Sequence, residues 1–242
     1  MFRIKICGLT RREDVASAIR AGADALGFNF YPESPRYIEP AKAAELITQA
    51  RQTAASWNLP KVTCVGVFVN ASTSSMNKIA HQVGLDALQL HGDDVVERLD
   101  ELPHHDCLAV LRIRALDDPK IESLAAAVRR PHVKGVLVDA YSPDAYGGTG
   151  HQVAWEWIPV LSRHWASLPT ILAGGLKPEN VASAIRMAKP FGIDVASGVE
   201  STPGIKAESL IRELVNAAQH AFQQSHQVAN REAHQGDSTS DP

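Results

Sequence analysis

Short apolar runs alternate with longer segments of helical periodicity along almost the whole chain. Eight runs have the length and composition of buried strands, at residues 3–7, 25–30, 62–69, 87–90, 107–113, 135–139, 170–173 and 192–195. The segments between them place apolar residues three or four positions apart, as at Met76, Ile79 and Val83. Parallel strands need helical crossovers, so this alternation predicts a parallel sheet covered by helices, and eight units predict a single (β/α)8 TIM barrel.

Local signals mark the ends of the first and last helices. Thr10 and Glu13 have the spacing of a capping box, which predicts a helix from residue 11 to 21 closed by Gly22. The last helix is predicted over residues 207–222, and beyond it only Val228 is a large hydrophobic residue. The predicted organisation is therefore a barrel over residues 1–222 followed by a disordered polar tail over 223–242, which buries too little to offset its ordering entropy.

Charge and composition exclude several classes of protein. The net charge of -3 provides no basic field for nucleic acid, and no run of about 18 apolar residues is present that could span a membrane. The first residues are charged and do not resemble a signal peptide, and the three cysteines are scattered, as in a reducing compartment. A cytoplasmic protein is expected. His104, His105 and Asp106 are adjacent in sequence and poorly placed to converge on one ion, so no metal site is predicted.

Chemically active side chains and glycines collect where the predicted strands end. In a parallel barrel this carboxyl end is where side chains meet ligands, whereas the opposite end mostly serves stability. The residues concerned are Cys7, Asn29, Gln89, His91, Arg112, Arg114, Asp139, Gly174, Gly175 and residues 194–198. An ordinary apolar core would not collect such groups, so the sequence predicts a ligand site at this end.

Two glycine loops follow the seventh and eighth predicted strands. Gly174-Gly175 precedes Pro178, which is suited to open a helix, and Ser197-Gly198 follows the last strand. Backbone amides freed by glycine and aimed by a helix N-terminus bind phosphate, and barrels commonly place a phosphate site at these two loops. A phosphorylated ligand is predicted, although glycines of this kind can also simply make turns.

Cys7 and Asp139 are the candidates for acid-base chemistry. Asp139 ends an otherwise apolar strand, where its pKa can be raised enough to keep a proton, and Cys7 as a thiolate would be the matching base. The glycine-rich loop at residues 146–150 could close over a ligand. Two simpler interpretations remain open: Asp139 could cap loop amides, and a lone cysteine is often only a small buried hydrophobic residue.

Seven ordered motifs are similar to those of the phosphoribosylanthranilate isomerase family of tryptophan biosynthesis. They lie at residues 5–10, 27–36, 89–92, 138–139, 147–150, 172–176 and 197–201, and the resemblance runs from residue 2 to about 215. It implies a barrel that carries out an Amadori rearrangement of N-(5-phosphoribosyl)anthranilate to 1-(2-carboxyphenylamino)-1-deoxyribulose 5-phosphate. It also implies that no metal or cofactor takes part.

The same resemblance implies a role for most of the site residues. Asp139 would protonate the furanose ring oxygen, and Cys7, with a depressed pKa, would remove the C2′ proton. Arg36 would receive the anthranilate carboxylate. The phosphate cradle would comprise Gly174, Gly175, Ser197 and Gly198, supported by Asp194, while His91 would lie near the substrate in an unassigned role. Ala196 stands where the family usually has Ser or Asn, so one side-chain hydrogen bond near the phosphate is expected to be missing.

Three other interpretations stay open at this point. The related sugar isomerase of histidine biosynthesis has a similar fold and reaction, but that family carries Asp where Cys7 stands and its substrate has a phosphate at each end. A barrel that binds a sugar phosphate without turning it over, as a sensor or inactive relative, belongs to a different class. A redox role for Cys7 is a third possibility. The oligomeric state is left as monomer or homodimer.

Overall fold

In the computed structural model of the protein, residues 1–140, 154–165 and 168–236 are described. Eight parallel strands form a closed barrel in chain order, which confirms the predicted fold class. The barrel closes where β1 pairs with β8, with Lys5 in register with Asp194. The strands are β1 (Ile4–Cys7), β2 (Ala25–Asn29), β3 (Thr63–Val69), β4 (Ala87–His91), β5 (Cys107–Ile113), β6 (Val133–Ala140), β7 (Thr170–Leu172) and β8 (Gly192–Val195).

Helices connect the strands and cover the outside of the barrel. They are α1 (Arg12–Ala21), α2 (Pro40–Ser56), α3 (Thr73–Val83), α4 (Val95–Glu101), α5 (Lys120–Ala127), α6 (Ile158–Leu161), α7 (Val181–Ala188) and α8 (Glu208–Gly236). Short 3₁₀ turns occupy Trp155–Trp157, Ser162–Trp165 and Ser197–Val199. Among the described residues, no helix combines the length and apolar character needed to cross a membrane.

A short hairpin after β8 lies outside the eight-fold repeat and was not predicted. Its strands β9 (Glu200–Thr202) and β10 (Ile205–Lys206) pair antiparallel around Gly204, whose φ of 83° suits glycine. This hairpin packs near the carboxyl end of the barrel, because the Lys206 backbone N–H donates to Asp14 of α1 at 3.1 Å.

The interior of the barrel changes from apolar to polar along its axis. A separate buried apolar cluster comprises Phe2, Ala25, Val65, Ala87, Leu108, Val110, Leu137, Ile171 and Ala173. Closer to the carboxyl ends of the strands the interior side chains are Lys5, Gln89 and Asp194, all buried. The core between barrel and helices therefore stabilises the fold, while one end of the interior is available for chemistry.

The capping box predicted at the start of α1 is wrong. The N-cap is Arg11, which makes no side-chain capping bond, and the Thr10 hydroxyl donates instead to the carbonyl of Gly204 at 2.7 Å. A local pattern cannot anticipate an acceptor 194 residues away in sequence. Thr10 thus connects the loop after β1 to the hairpin rather than capping the helix.

The last helix is longer than the sequence pattern predicts. Its buried face includes Leu214, Val215, Ala218 and Phe222, and α8 continues past residue 222 to Gly236. Residues 223–235 contain no proline and include four Gln, two Ala, one Arg and one Glu, residue types that favour helix even without tertiary burial. Residues 237–242 lie outside the described residues, so the predicted disorder of the tail stays a prediction.

Candidate active site

A cleft of roughly 620 Å³, including its solvent-open mouth, lies at the carboxyl ends of the barrel strands. The site residues to which the sequence analysis gave a place all line this cleft: Cys7, Arg36, His91, Asp139, Gly174, Gly175, Asp194, Ser197 and Gly198. Asn29, Ser34, Val67 and Gln89 also line it, whereas Arg112 and Arg114, which were expected at this end as well, are not among its lining residues. Residues from seven of the eight barrel strands or from the loops after them therefore converge on one ligand-sized space.

Cys7 ends β1 and is buried against Gly27 of β2. A Cβ at Gly27 would come within 2.7 Å of the Cys7 sulfur, so glycine is needed there to make room for the thiol. Burial and the nearby Asp194 carboxylate raise the pKa of Cys7, and Lys5 and Lys206 only partly oppose them. The expectation of a depressed pKa for Cys7 is therefore wrong, because the sequence did not reveal how deeply the thiol is buried or which carboxylate faces it.

Lys5 lies beneath Cys7 and is fully buried. Its ammonium donates to the Asp194 carboxylate at 2.9 Å and to the Gln89 side-chain oxygen at 2.8 Å. Burial lowers the pKa of Lys5, but the Asp194 carboxylate and the Cys7 thiol raise it more, so this lysine is charged. Sequence analysis overlooked Lys5, although a lysine within a buried strand is a signal that could have found it.

Asp194 forms an ion pair with Lys5 that the sequence analysis did not predict. It lines the cleft just before the second glycine loop, and the Lys5 ammonium neutralises its carboxylate. Without this ion pair a buried carboxylate would repel an anionic ligand at close range. The pair removes this repulsion and links the side chains of β1 and β8, the two strands at which the barrel closes.

Asp139 reaches the cleft from the end of β6 and is 7% exposed. Arg112 on the neighbouring strand β5 is in register with Asp139, so a basic residue lies beside the aspartate. The glycine loop predicted to close over the ligand, residues 146–150, lies outside the described residues. The position of Asp139 alone is consistent with a side chain that meets the ligand.

Arg36 is held by a stiff loop and by an unpredicted partner. The loop is organised by Asn29, whose side chain accepts from the Tyr31 N–H at 2.9 Å and donates to the Ser34 hydroxyl at 3.1 Å. The guanidinium donates twice to Glu200 of the β9–β10 hairpin, from Nε and Nη2, each at 2.8 Å. Sequence reasoning placed Glu200 within a motif but assigned it no role, since 164 residues separate the two side chains.

The two glycine loops lie against each other. Gly174 and Gly175 have φ angles of 85° and 65°, which glycine adopts without strain. A Cβ at Gly198 would lie 1.7 Å from the carbonyl oxygen of Leu176, so the second loop can approach the first only because residue 198 is glycine. Asn180 ties down the first loop by donating to the Gly175 carbonyl at 2.9 Å. The main chain of both loops is thus exposed to a ligand in the cleft.

Ala196 precedes the 3₁₀ turn of the second loop and has no polar side chain. Its carbonyl accepts a hydrogen bond from the Lys206 ammonium at 2.9 Å. Lys206 also donates to Glu200 at 2.7 Å and is buried. The backbone at Ala196 is therefore held in place from the hairpin side.

His91 ends β4 and is almost completely buried in the cleft wall. Burial lowers its pKa to about 3, and the positive charges of Arg112 and Lys5 act in the same direction. The imidazole is neutral near pH 7. It can therefore contribute a hydrogen bond to a ligand but not a positive charge.

This buried neutral imidazole predicts a specific acid sensitivity of the fold. The unfolded chain binds a proton at His91 below pH 6.5, whereas the folded protein does so only below about pH 3. His91 thus adds stability above pH 6.5 that is lost as the pH falls from 6.5 towards 3. When the pH is lowered from 7 to 5, the free energy of unfolding should decrease in both proteins. The decrease should be about 2 kcal/mol smaller in His91→Asn than in the wild type.

Chemical denaturation at a series of pH values measures the effect. His81→Asn, which changes an exposed histidine of α3, is the matched control and should follow the wild-type curve. If the free energy of unfolding depended on pH in the same way in His91→Asn and in wild type, His91 would not be a buried neutral imidazole.

Comparison with known proteins gives a consistent result over nearly the whole barrel. Residues 4–217 match the family model described as N-(5′-phosphoribosyl)anthranilate (PRA) isomerase. The isomerase of Pseudomonas fluorescens (strain Pf0-1) is 43% identical over 215 residues, covering 89% of this chain and 97% of the relative. That of Trichlorobacter lovleyi is 40% identical over 224 residues, covering 92% of this chain and all of the relative.

Solved structures agree with these sequence matches. The phosphoribosyl anthranilate isomerase of Thermotoga maritima has a TM-score of 0.75 and 33% identity, covering 91% of this chain and all of that one. A phosphoribosyl anthranilate isomerase in complex with reduced 1-(o-carboxyphenylamino)-1-deoxyribulose 5-phosphate has a TM-score of 0.72, 32% identity and the same coverage. Together with the barrel and the convergent cleft, these matches establish that the chain belongs to the N-(5′-phosphoribosyl)anthranilate isomerase family.

Proposed function

We propose that this protein converts N-(5-phosphoribosyl)anthranilate to 1-(2-carboxyphenylamino)-1-deoxyribulose 5-phosphate, with Asp139 as general acid and Cys7 as general base. One observation carries the proposal. An acid, a thiol, a buried arginine and two glycine loops all line the same cleft. A substrate with a sugar ring, a carboxylate and a phosphate needs these groups in one place.

The first step opens the furanose ring. Asp139 donates its proton to the ring oxygen while the bond from that oxygen to C1′ breaks, and the nitrogen lone pair forms an iminium. The buried position of Asp139 favours a directed transfer, because few water molecules compete for the proton.

The second step moves a proton from C2′. The Cys7 thiolate removes that proton, and the electron pair moves to the iminium nitrogen to give an enolamine, which tautomerises to the ketone. The positive charge of the iminium next to Cys7 favours the thiolate and so opposes the burial that raises the pKa of the Cys7 thiol. The substrate therefore supplies part of the electrostatic activation of its own base.

Binding groups hold the two ends of the substrate. Arg36 receives the anthranilate carboxylate, and backbone amides at Gly174, Gly175, Ser197 and Gly198 hold the phosphate. Asp194 supports this end through its pair with Lys5, and His91 contributes a neutral hydrogen-bonding group. Each group reaches the cleft from a rigid strand end or an anchored loop.

We infer that the enzyme acts in the cytoplasm as a monomer or a homodimer. Cys7, Cys64 and Cys107 are free thiols, which suits a reducing compartment. The Thermotoga maritima relative is described as a dimeric isomerase from which monomers were generated. Light scattering on the purified protein decides between the two states.

The test of the proposed function is turnover of freshly generated phosphoribosylanthranilate, followed by the decay of its anthranilate fluorescence. Wild-type protein should consume the substrate without added metal or cofactor. A protein that binds the reduced product analogue tightly but leaves the fluorescence unchanged would instead be a sugar-phosphate-binding module. Turnover of only the bis-phosphorylated histidine-pathway substrate would favour the related sugar isomerase.

A further inference from the structure

The β9–β10 hairpin clamps the loop that carries Arg36. Its Gly204 turn lies against that loop, since a Cβ at Gly204 would come within 2.7 Å of the Pro35 carbonyl oxygen. The Thr10 hydroxyl and the Asp14 carboxylate hold the hairpin from the other side. An element outside the eight-fold repeat therefore sets the position of a cleft residue.

Arg36 is restrained along its whole length. Its stem crosses Gly8, where a Cβ would approach the Arg36 Cδ to 2.5 Å, and its backbone N–H donates to the Ser34 hydroxyl at 3.1 Å. Glu200 accepts from Nε and Nη2. Among the described residues none accepts from Nη1, so the end-on face of the guanidinium, formed by Nη1 and Nη2, stays available in the cleft.

Glu200 is itself fixed and cannot follow Arg36 if it moves. Its carboxylate is buried and accepts from the Lys206 ammonium at 2.7 Å, and Lys206 also holds the Ala196 carbonyl. Burial raises the pKa of Glu200, but the hydrogen bonds and positive charges of Arg36 and Lys206 lower it by more. The net pKa is therefore lowered, and the group is a carboxylate. Two buried cations thus share one anchored anion.

We propose that Glu200 is a positioning residue that aims the free face of Arg36 at the aromatic carboxylate and thereby sets the preference for a carboxylated arylamine. The proposal rests on the proposed function of Arg36 and extends it to a residue without contact to the reacting atoms. A guanidinium has a planar fork of donors, so an error in its orientation removes a bidentate contact that a flexible cation would keep.

Removing the charge of Glu200 has two opposing effects on carboxylate binding. The guanidinium loses a competing anion, which by itself would strengthen its attraction for a ligand carboxylate. Arg36 and Lys206 also lose their common counter-ion, so the two cations repel and the arginine gains rotamer freedom. The proposal requires the second effect to be the larger.

The experiment measures ligand preference without relying on turnover. Calorimetric titration compares reduced 1-(2-carboxyphenylamino)-1-deoxyribulose 5-phosphate with the corresponding aniline compound, which lacks only the carboxylate. Wild type should bind the carboxylated ligand more tightly than the aniline compound. In Glu200→Gln the ratio of the two affinities should fall by about tenfold, while the affinity for the aniline compound should stay within about twofold of wild type. Glu200→Asp, which keeps the charge but shortens the side chain, should also lose preference.

Glu208→Gln is the matched control, because Glu208 forms an exposed ion pair with Arg20 at 3.0 Å on the surface. It should retain the wild-type preference. An unchanged or increased preference in Glu200→Gln, or its absence in wild type, would overturn the proposal. If Glu200→Gln does not fold, Glu200→Asp alone gives the decisive comparison. Wild type that shows the preference but no turnover would contradict the proposed catalysis while leaving the role of Glu200 intact.

Discussion

Cys7→Ser should lower kcat/KM by about 10²- to 10⁴-fold, the range usual for loss of a general base. A serine hydroxyl at this position has a much higher pKa than a thiol and supplies almost no anion near pH 7. The side chain is buried at the edge of the cleft and differs from serine by one atom, so the fold should be unchanged. Affinity for the reduced product analogue should stay within about twofold of wild type, because binding needs no proton transfer.

The pH dependence identifies the thiolate as the base. Burial and Asp194 raise the pKa of Cys7 in the free enzyme, so the reactive form is scarce at neutral pH and increases as the pH rises. Over the pH range in which Asp139 keeps the proton that it must donate, wild-type kcat/KM should therefore rise with pH by about tenfold per pH unit, as long as the pH stays below the usual thiol range. This rise of kcat/KM with pH should be absent in Cys7→Ser.

Cys107→Ser is the control for the loss of a thiol. Cys107 begins β5, and its sulfur contacts the His105 carbonyl at 3.4 Å, a contact that a serine hydroxyl can replace. Cys107→Ser should keep the wild-type kcat/KM and the wild-type pH dependence of kcat/KM. Residual activity in Cys7→Ser above about a tenth of wild type would remove Cys7 from the role of base.

Asp139→Asn should lower kcat/KM by a similar factor, about 10²- to 10⁴-fold, for a different reason. The amide keeps the size and hydrogen-bonding capacity of the side chain but has no proton to give to the ring oxygen. Binding of the open-chain product analogue should again be retained. Asp106→Asn, an exposed aspartate near the amino end of the barrel that pairs with Lys134 at 3.4 Å, should leave the rate unchanged.

An isotope effect separates the two roles. In Asp139→Asn ring opening becomes the slow step, so deuterium at C2′ of the substrate should have little effect on the residual rate. In Cys7→Ser removal of that proton is slow, and the same substitution should produce a clear primary isotope effect. The opposite pattern would require the roles of acid and base to be exchanged.

The barrel was predictable because its signals are local. Each strand is a short apolar run and each helix repeats its apolar residues with a period near 3.6, so both follow from neighbours in sequence. The carboxyl ends of parallel strands meet at one edge by necessity. Cys7, His91 and Asp139 could therefore be placed around a common cleft from their positions at strand ends.

The errors lie where the deciding contact is distant in sequence. Thr10 bonds to Gly204 instead of capping α1, and Arg36 pairs with Glu200 across 164 residues. Lys5 meets Asp194 only because the barrel closes between β1 and β8. No local periodicity reports on contacts of this kind, and the hairpin that provides several of them has strands of three and two residues, too short for a strand pattern.

The sequence by itself determined the fold class and the edge at which the site lies, because both depend on residue type and on periodicity, which are present before the chain folds. The roles of Asp139 as acid, Cys7 as base and Arg36 as carboxylate ligand follow from the family resemblance and stay predictions. Only the tertiary structure decided the electrostatics of the site. The pKa of Cys7 is raised rather than depressed, Asp194 is neutralised by Lys5, and Arg36 is aimed by Glu200. Burial and the distances between charges control these properties, and both arise only when the barrel closes.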